Sequence, residues 1–157
     1  MTSLGDPTDD SRRERVLILR THNAARSQMA EGLLRARAGD RFEVHSAGYE
    51  PSQVHPLAVE AMADIGIDIS GQRSKGTKDY LGHVWFRYLI IVCARAEEFC
   101  PTVFPGVGER LSWPFDDPSA AEGSHEERLA VFRRVRDAID QRLSDWLTTA
   151  EQDVGLR

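Results

Sequence analysis

Residues 15–34 read RVLILRTHNAARSQMAEGLL, and this stretch determines the predicted fold. It opens with four apolar residues at positions 16–19, and a short continuous apolar run of this kind is typical of a β-strand buried on both faces. A polar loop follows at residues 20–26, after which Met29, Leu33 and Leu34 recur at helical spacing. The stretch therefore predicts a strand, a loop and a helix in succession.

The remainder of the chain continues this alternation. It predicts a strand at residues 42–48, a helix that opens at His55-Pro56 and ends at Gly66, a strand at residues 88–92 and a weaker strand near residues 110–113. A capping box of Ser124 and Glu127 opens the last helix. Its apolar face is formed by Leu129, Phe132, Val135, Ile139, Leu143 and Trp146. The order predicts an α/β fold, a single three-layer sandwich with a four-stranded parallel sheet flanked by helices.

One domain accounts for most of the 157 residues, a length that suffices for a hydrophobic core. Residues 1–13 are rich in Gly, Pro, Asp and Ser and are predicted to be a flexible leader. We expect the domain to span residues 14–148 and a C-terminal tail to span residues 149–157.

Composition excludes several classes of function. The net charge of −5 gives no general footprint for nucleic acid, and no apolar stretch is long enough to cross a membrane. A polar N-terminus without a signal-peptide core predicts a cytoplasmic protein. Cys93 and Cys100, the two cysteines, are too few for a disulfide framework and lack zinc-site spacing, so we expect thiols and no bound metal or other cofactor.

The loop at residues 20–26 is the first candidate for chemistry, because ligands bind at the carboxyl ends of the strands in such sheets. Ala24 and Ala25 allow the backbone to curl, so that successive N–H groups converge. Ser27 and Gln28 begin a helix whose positive dipole end points to the same place, and Arg26 adds a bidentate donor. These features predict a site for a tetrahedral oxyanion. The alternative is a strand-to-helix connection that binds nothing.

The same run resembles the signature of the low-molecular-weight protein tyrosine phosphatases and, more closely, of the thioredoxin-coupled arsenate reductases. Their loop has the form Cys, five residues, Arg, Ser and usually Gln-Met-Ala-Glu. The resemblance extends over residues 15–147 and includes His45-Ser46-Ala47-Gly48, residues 66–74, Cys93, Cys100, Pro101 and Trp113-Pro114-Phe115-Asp116-Asp117-Pro118. It implies that phosphate, arsenate or sulfate is held by Thr21, His22, Asn23, Ala24, Ala25, Arg26 and Ser27, and that Asp117 stands at the general-acid position.

The nucleophile of that family is absent, because Arg20 stands at the position of its catalytic cysteine. A guanidinium stays protonated and has no lone pair with which to attack phosphorus or arsenic. We therefore expect a catalytically impaired homologue that still binds an oxyanion. Two alternatives remain: an enzyme of altered chemistry that uses Cys93 and Cys100, and a non-catalytic interaction protein whose anion loop is blocked by Arg20.

The long Arg20 side chain must reach a partner, because burying an unpaired guanidinium would cost several kcal/mol. The resemblance implies that Asp117 is the nearest candidate, so we expect Arg20 either to pair with Asp117 or to contact a bound sulfate or phosphate, with the first slightly favoured.

Further expectations follow from the resemblance. In some arsenate reductases a potassium ion binds beside the loop, and Asn23, Glu31 and Lys75 match the residues of that cation site. The Lys75 ammonium could take the place of the ion, which predicts no potassium requirement, or Lys75 could be a solvated surface residue. His22, His45 and His55 are expected to be structural or exposed rather than ligands.

Cys93 and Cys100 resemble the two cysteines that, in arsenate reductases, form a disulfide that thioredoxin reduces. A helix across residues 94–99 would hold their Cα atoms about 10 Å apart, too far for a disulfide, so bond formation would require the helix to unwind. The alternative is a pair of inert thiols.

Overall fold

The structure is a computed structural model that describes residues 13–80, 82–92 and 106–155. In these ranges the chain forms β1 (Glu14–Leu19), α1 (Arg26–Ala38), β2 (Phe42–Ala47), α2 (Pro56–Ala63), β3 (Phe86–Ile91), β4 (Val107–Ser112) and α3 (His125–Gly155). The strands form one parallel sheet in the order β2-β1-β3-β4. The predicted α/β fold with a four-stranded parallel sheet and flanking helices is confirmed.

The position of β1 at the centre of the sheet explains why residues 16–19 form a continuous apolar run. Residues 16–19 have no solvent-exposed surface, because β1 lies between β2 and β3 and both of its faces are covered. Leu19 is aligned with Ala47 on β2 and with Ile91 on β3. The carboxyl ends of three strands therefore meet at one edge of the sheet, and the loop that follows β1 begins there.

Alternate residues of the strands contribute to two hydrophobic clusters. Val16 and Ile18 belong to the larger cluster, which includes buried residues of α1, α2 and α3. Leu17 and Leu19 point to the opposite face, where the cluster includes Phe86. Burial of alternate side chains on opposite faces is what a central parallel strand requires.

The element boundaries differ from the prediction mainly at β4. This strand begins at Val107, earlier than the predicted residues 110–113, and most of its side chains are exposed or half-buried because it lies at the edge of the sheet. An edge strand needs no apolar run, so its Gly-Glu-Arg segment has no pattern that predicts a strand. The strand β3 likewise begins at Phe86, two residues earlier than predicted.

The last helix begins where its sequence signal predicts but extends further than predicted. The capping box of α3 is present: Ser124 Oγ accepts from the Glu127 N–H at 3.1 Å, and Glu127 Oε1 accepts from the Ser124 N–H at 3.1 Å. The helix continues to Gly155, past the predicted domain boundary at residue 148. Apart from Arg13, the predicted leader lies outside the described residues. Within the described ranges, no helix is both long enough and apolar enough to cross a membrane.

Candidate anion-binding site

The loop at residues 20–25 is held against the segment that connects β2 to α2. The Arg20 N–H donates to the Ala47 carbonyl at 3.1 Å, and the carbonyls of Thr21 and Ala24 accept from the N–H groups of Glu50 and His55. Gly48 makes the close approach possible, because a Cβ there would overlap the carbonyl oxygens of Arg20 and Thr21. Backbone contacts therefore fix the loop against this segment.

Asn23 is the residue that turns the loop. Its φ of 53° lies in the left-handed region, which asparagine tolerates better than most residues. Its Nδ2 donates to Ser27 Oγ at 2.8 Å and to Ser46 Oγ at 2.9 Å, while its Oδ1 accepts from Gln28 Nε2 at 2.9 Å and from the Lys75 N–H at 2.8 Å. Because its side chain is fully engaged and buried, Asn23 supports the loop rather than facing a ligand.

A buried carboxylate continues this network beneath the loop. Glu31 is 4% exposed, and it accepts from Ser46 Oγ, from Arg35 Nη2 at 2.7 Å and from Lys75 Nζ at 3.2 Å. The Lys75 ammonium also donates to the Arg73 carbonyl at 2.9 Å. The structure thus brings Asn23, Glu31 and Lys75 together through Ser46, and places the ammonium at the carboxylate instead of in solvent. We call Asn23, Ser46, Glu31, Arg35 and Lys75 the loop floor.

Three charged side chains meet on the other side of the loop, and we call Arg20, Arg26 and Asp117 the loop mouth. Arg26 is fully buried; its Nη1 donates to the Phe115 carbonyl at 2.8 Å and its Nη2 lies 3.7 Å from Asp117 Oδ2. Arg20 Nη2 donates to the same Oδ2 atom at 3.3 Å. The expected pair between Arg20 and Asp117 is therefore present.

Both carboxylate oxygens of Asp117 have partners. Its Oδ1 accepts from the Ser119 N–H at 3.0 Å and from the Ser119 hydroxyl, so that Asp117 caps a short 3-10 turn at Pro118–Ala120. Partial burial raises the pKa of this carboxyl, but the Ser119 hydrogen bonds and the charges of Arg26 and Arg20 outweigh it and leave the pKa below its ordinary value. Asp117 is therefore a carboxylate at neutral pH.

A cleft of about 660 Å³ opens beside the mouth. It is lined by Arg20, His22, Ala24, Ala25, Ser52, Gln53, Val54, His55, Pro56, Asp117 and Ser119. The cleft joins the charged mouth to a largely neutral wall that the β2–α2 segment supplies, so a ligand in it would contact both.

The three histidines considered from the sequence each have a protein partner. His22 Nδ1 lies 3.1 Å from the Glu50 carbonyl, and His45 lies between Glu43 and the Tyr80 hydroxyl. His55 caps α2, because its Nδ1 accepts from the Leu57 N–H at 3.1 Å. Within the described residues, no group of three His, Cys, Asp or Glu side chains is arranged to hold a metal ion.

Two side-chain hydrogen bonds beside the loop were not predicted from the sequence. Gln28 Nε2 donates to the Arg73 carbonyl at 2.9 Å, and Gln72 Nε2 donates to Gln28 Oε1 at 2.8 Å, so that two glutamines join α1 to the segment after α2. No periodicity marks such long-range amide pairs. Cys93 and Cys100, the predicted redox pair, lie outside the described residues.

Comparison with known proteins agrees with this geometry. The family model of the low molecular weight phosphotyrosine protein phosphatases matches residues 15–155. The arsenate reductase of Halalkalibacterium halodurans is 43% identical over 139 residues, covering 87% of this chain and 96% of that protein, and the arsenate reductase of Bacillus subtilis is 42% identical over 137 residues with the same coverage.

Solved structures give the same result. One described as an arsenate reductase in the phosphate binding state superposes with a TM-score of 0.71 at 29% identity, over 87% of this chain and 98% of that one. The thioredoxin-dependent arsenate reductase of Corynebacterium glutamicum has a TM-score of 0.64 at 27% identity, over 91% of this chain and 64% of that one. The present chain therefore belongs to the low molecular weight phosphotyrosine protein phosphatase family and is similar to its arsenate reductases.

Proposed function

We propose that this protein binds a tetrahedral oxyanion such as phosphate, arsenate or sulfate at the loop and does not turn it over. The observation that carries the proposal is the loop mouth, where two guanidinium groups converge on one carboxylate oxygen. Together the three groups carry a net charge of +1. A relative of similar fold is described as binding phosphate, which supports the same ligand class here.

The loop's position supplies the rest of the attraction. Helix α1 begins at Arg26, directly after the loop, and the positive end of its dipole favours an anion there. The guanidinium of Arg26 is held by the Phe115 carbonyl, so its direction is fixed before any ligand arrives. A preorganised fork of this kind binds an oxyanion with little loss of side-chain entropy.

The absence of turnover follows from the same residues. Arg20 stands where the resemblance places the nucleophile, and a protonated guanidinium cannot attack phosphorus or arsenic. Asp117, at the general-acid position, has a lowered pKa and therefore has no proton to donate at neutral pH. The Ser27 hydroxyl accepts a hydrogen bond from Asn23, and no histidine lies within hydrogen-bond distance of it among the described residues.

Lys75 bears on the predicted independence from potassium. Its ammonium contacts Glu31 Oε1 and the Arg73 carbonyl, two oxygens of the kind that a monovalent cation would seek. We propose that this tethered charge makes an added cation unnecessary. Thioredoxin remains a proposed partner only through Cys93 and Cys100.

One observation favours a second candidate, a non-catalytic interaction protein in which the anion loop is closed. The pair between Arg20 and Asp117 lies across the loop and takes space that an anion would need. Anion binding decides between the two candidates.

Titration calorimetry with phosphate, arsenate and sulfate tests the proposal. We expect saturable binding to the wild type and binding at least about tenfold weaker in Arg26→Lys, which keeps the buried charge but loses the bidentate fork. Arg134→Ala, on the exposed side of α3, is the matched control and should bind as the wild type does. Absence of saturable binding would favour the closed-loop interaction protein.

Two turnover assays complete the test: arsenate reduction with thioredoxin and hydrolysis of an aryl phosphate. We expect both to stay at background. Turnover in the first assay that is lost in Cys93→Ser would instead support the enzyme of altered chemistry.

A further inference from the structure

We infer that Asp117 is an internal ligand of the anion site, so that an external oxyanion binds by exchanging with the Asp117 carboxylate. The inference deepens the proposed function and rests on it. It assigns to Asp117 the role of a specificity determinant, in a position where the resemblance implied a general acid.

The Asp117 carboxylate occupies the position that a bridging anion would take. Asp117 Oδ2 lies 3.3 Å from Arg20 Nη2 and 3.7 Å from Arg26 Nη2, so a single carboxylate oxygen bridges both guanidinium groups. An oxyanion that bridged the same two groups would place an oxygen where Oδ2 now lies. Its charge would also stand beside the carboxylate, and like charges at such separations repel strongly in a partly buried site.

The turn that Asp117 caps directs its carboxylate toward the two arginines. Asp117 Oδ1 accepts two hydrogen bonds from Ser119, which leaves Oδ2 to face the mouth. The side chain of Asp117 is 33% exposed and borders the cleft, whereas those of Arg20 and Arg26 are 9% and 0% exposed. The anionic partner can therefore leave for water, while the cationic partners stay in place.

The exchange sets which anions bind. A ligand must replace a carboxylate of charge −1 that is already held in place. A monoanion such as acetate gains no charge advantage by this replacement, whereas a dianion such as sulfate interacts more strongly with two guanidinium groups. The site should therefore select tetrahedral dianions and exclude simple carboxylates.

The test is Asp117→Asn, because the amide oxygen can still cap the turn while the charge is lost. Asp116→Asn is the matched control, because Asp116 is the neighbouring aspartate, carries the same charge and is exposed. Titration calorimetry of the full chain at pH 7.5 and constant ionic strength would use inorganic phosphate, sulfate and acetate. We expect Asp117→Asn to bind phosphate at least about tenfold more tightly and to gain measurable acetate binding, with Asp116→Asn unchanged.

Each outcome decides the inference. If Asp117→Asn binds phosphate and the wild type does not, the internal ligand is supported and anion binding by the wild type is refuted. If both bind with equal affinity, or the variant binds more weakly, the inference is overturned and the proposed function stands. Binding by neither protein overturns both, and an equal gain in Asp116→Asn overturns the inference by showing a general charge effect.

Discussion

The floor and the mouth of the loop share one charge pattern but differ in exposure to solvent. In each, two cations meet one carboxylate: Arg35 and Lys75 at Glu31, and Arg20 and Arg26 at Asp117. The Glu31 side chain is 5% exposed and that of Asp117 is 33% exposed. The same three charges therefore form a fixed support where the carboxylate is buried and an exchangeable site where the carboxylate is in contact with water.

The largest expected effect comes from changing the mouth on an unchanged floor. If only the nucleophile is missing, Arg20→Cys should raise aryl phosphate hydrolysis at least about a hundredfold above the wild type. The thiol would restore an attacking group, and Asp117 would lose the Arg20 charge that helps to lower its pKa. Steady-state hydrolysis measures this change.

Arg20→Ser is the matched control for that experiment, because it shortens the side chain equally without supplying a thiolate. It should stay at background. An inactive Arg20→Cys that still binds phosphate would show that the mouth has lost more than its nucleophile.

The second largest effect concerns the floor. Asn23→Ala removes four buried hydrogen bonds and places alanine in the left-handed region, so we expect the free energy of unfolding to fall by about 2–4 kcal/mol. Asn23→Gly removes the same hydrogen bonds but tolerates the positive φ, and it should lie about 1 kcal/mol above the alanine variant. Chemical denaturation measures both values. Equal stability of the two variants would show that the backbone at residue 23 relaxes when its side chain is removed.

Most of the fold and part of the mouth could be predicted from the sequence. The strands and helices were predictable because burial imposes periodicity, and residues 16–19 are the clearest case. The pair between Arg20 and Asp117 was also predictable, since a long buried guanidinium needs a partner and the family resemblance places Asp117 nearest to it. The edge strand β4 was placed less well because exposure relaxes its pattern.

Other features of the site have no local signal. The sequence does not show that Asn23 adopts a positive φ or that Gln28 and Gln72 pair across 44 positions. These contacts join segments far apart in the chain, so they depend on how α1 and the loops pack after folding. Only the assembled sheet edge brings them together.

A smaller effect should come from the Lys75 charge. Lys75→Met leaves Glu31 with Arg35 alone, so we expect the free energy of unfolding to fall by about 1–2 kcal/mol. Lys78→Met, at the other lysine of the chain, is the matched control and should change it by less than about 0.5 kcal/mol. Urea denaturation in sodium chloride and in potassium chloride measures both variants and the wild type.

The wild type should be equally stable in the two salts, as the tethered ammonium requires. A stabilisation of the wild type by potassium alone would contradict the assignment of Lys75 to the floor's cation position.

The smallest expected effect is a pH dependence at His55, where the cleft meets α2. Burial and the nearby charge of Arg128 lower the pKa of His55 below 6.5, while Asp117 opposes them in part. Because the unfolded chain then binds the proton more readily than the folded one, the stability that neutral His55 contributes is present above pH 6.5 and is lost as the pH falls toward the folded pKa. Protonation of Nδ1 would also remove the acceptor that caps the Leu57 N–H.

His55→Asn keeps a capping oxygen and does not titrate, so carboxylates common to both proteins cancel in the difference between their unfolding temperatures. That difference should be constant from pH 8 to 7 and should turn against the wild type between pH 6.5 and 5.5, whereas parallel profiles over the whole range would show that His55 has the same pKa in the folded and the unfolded chain.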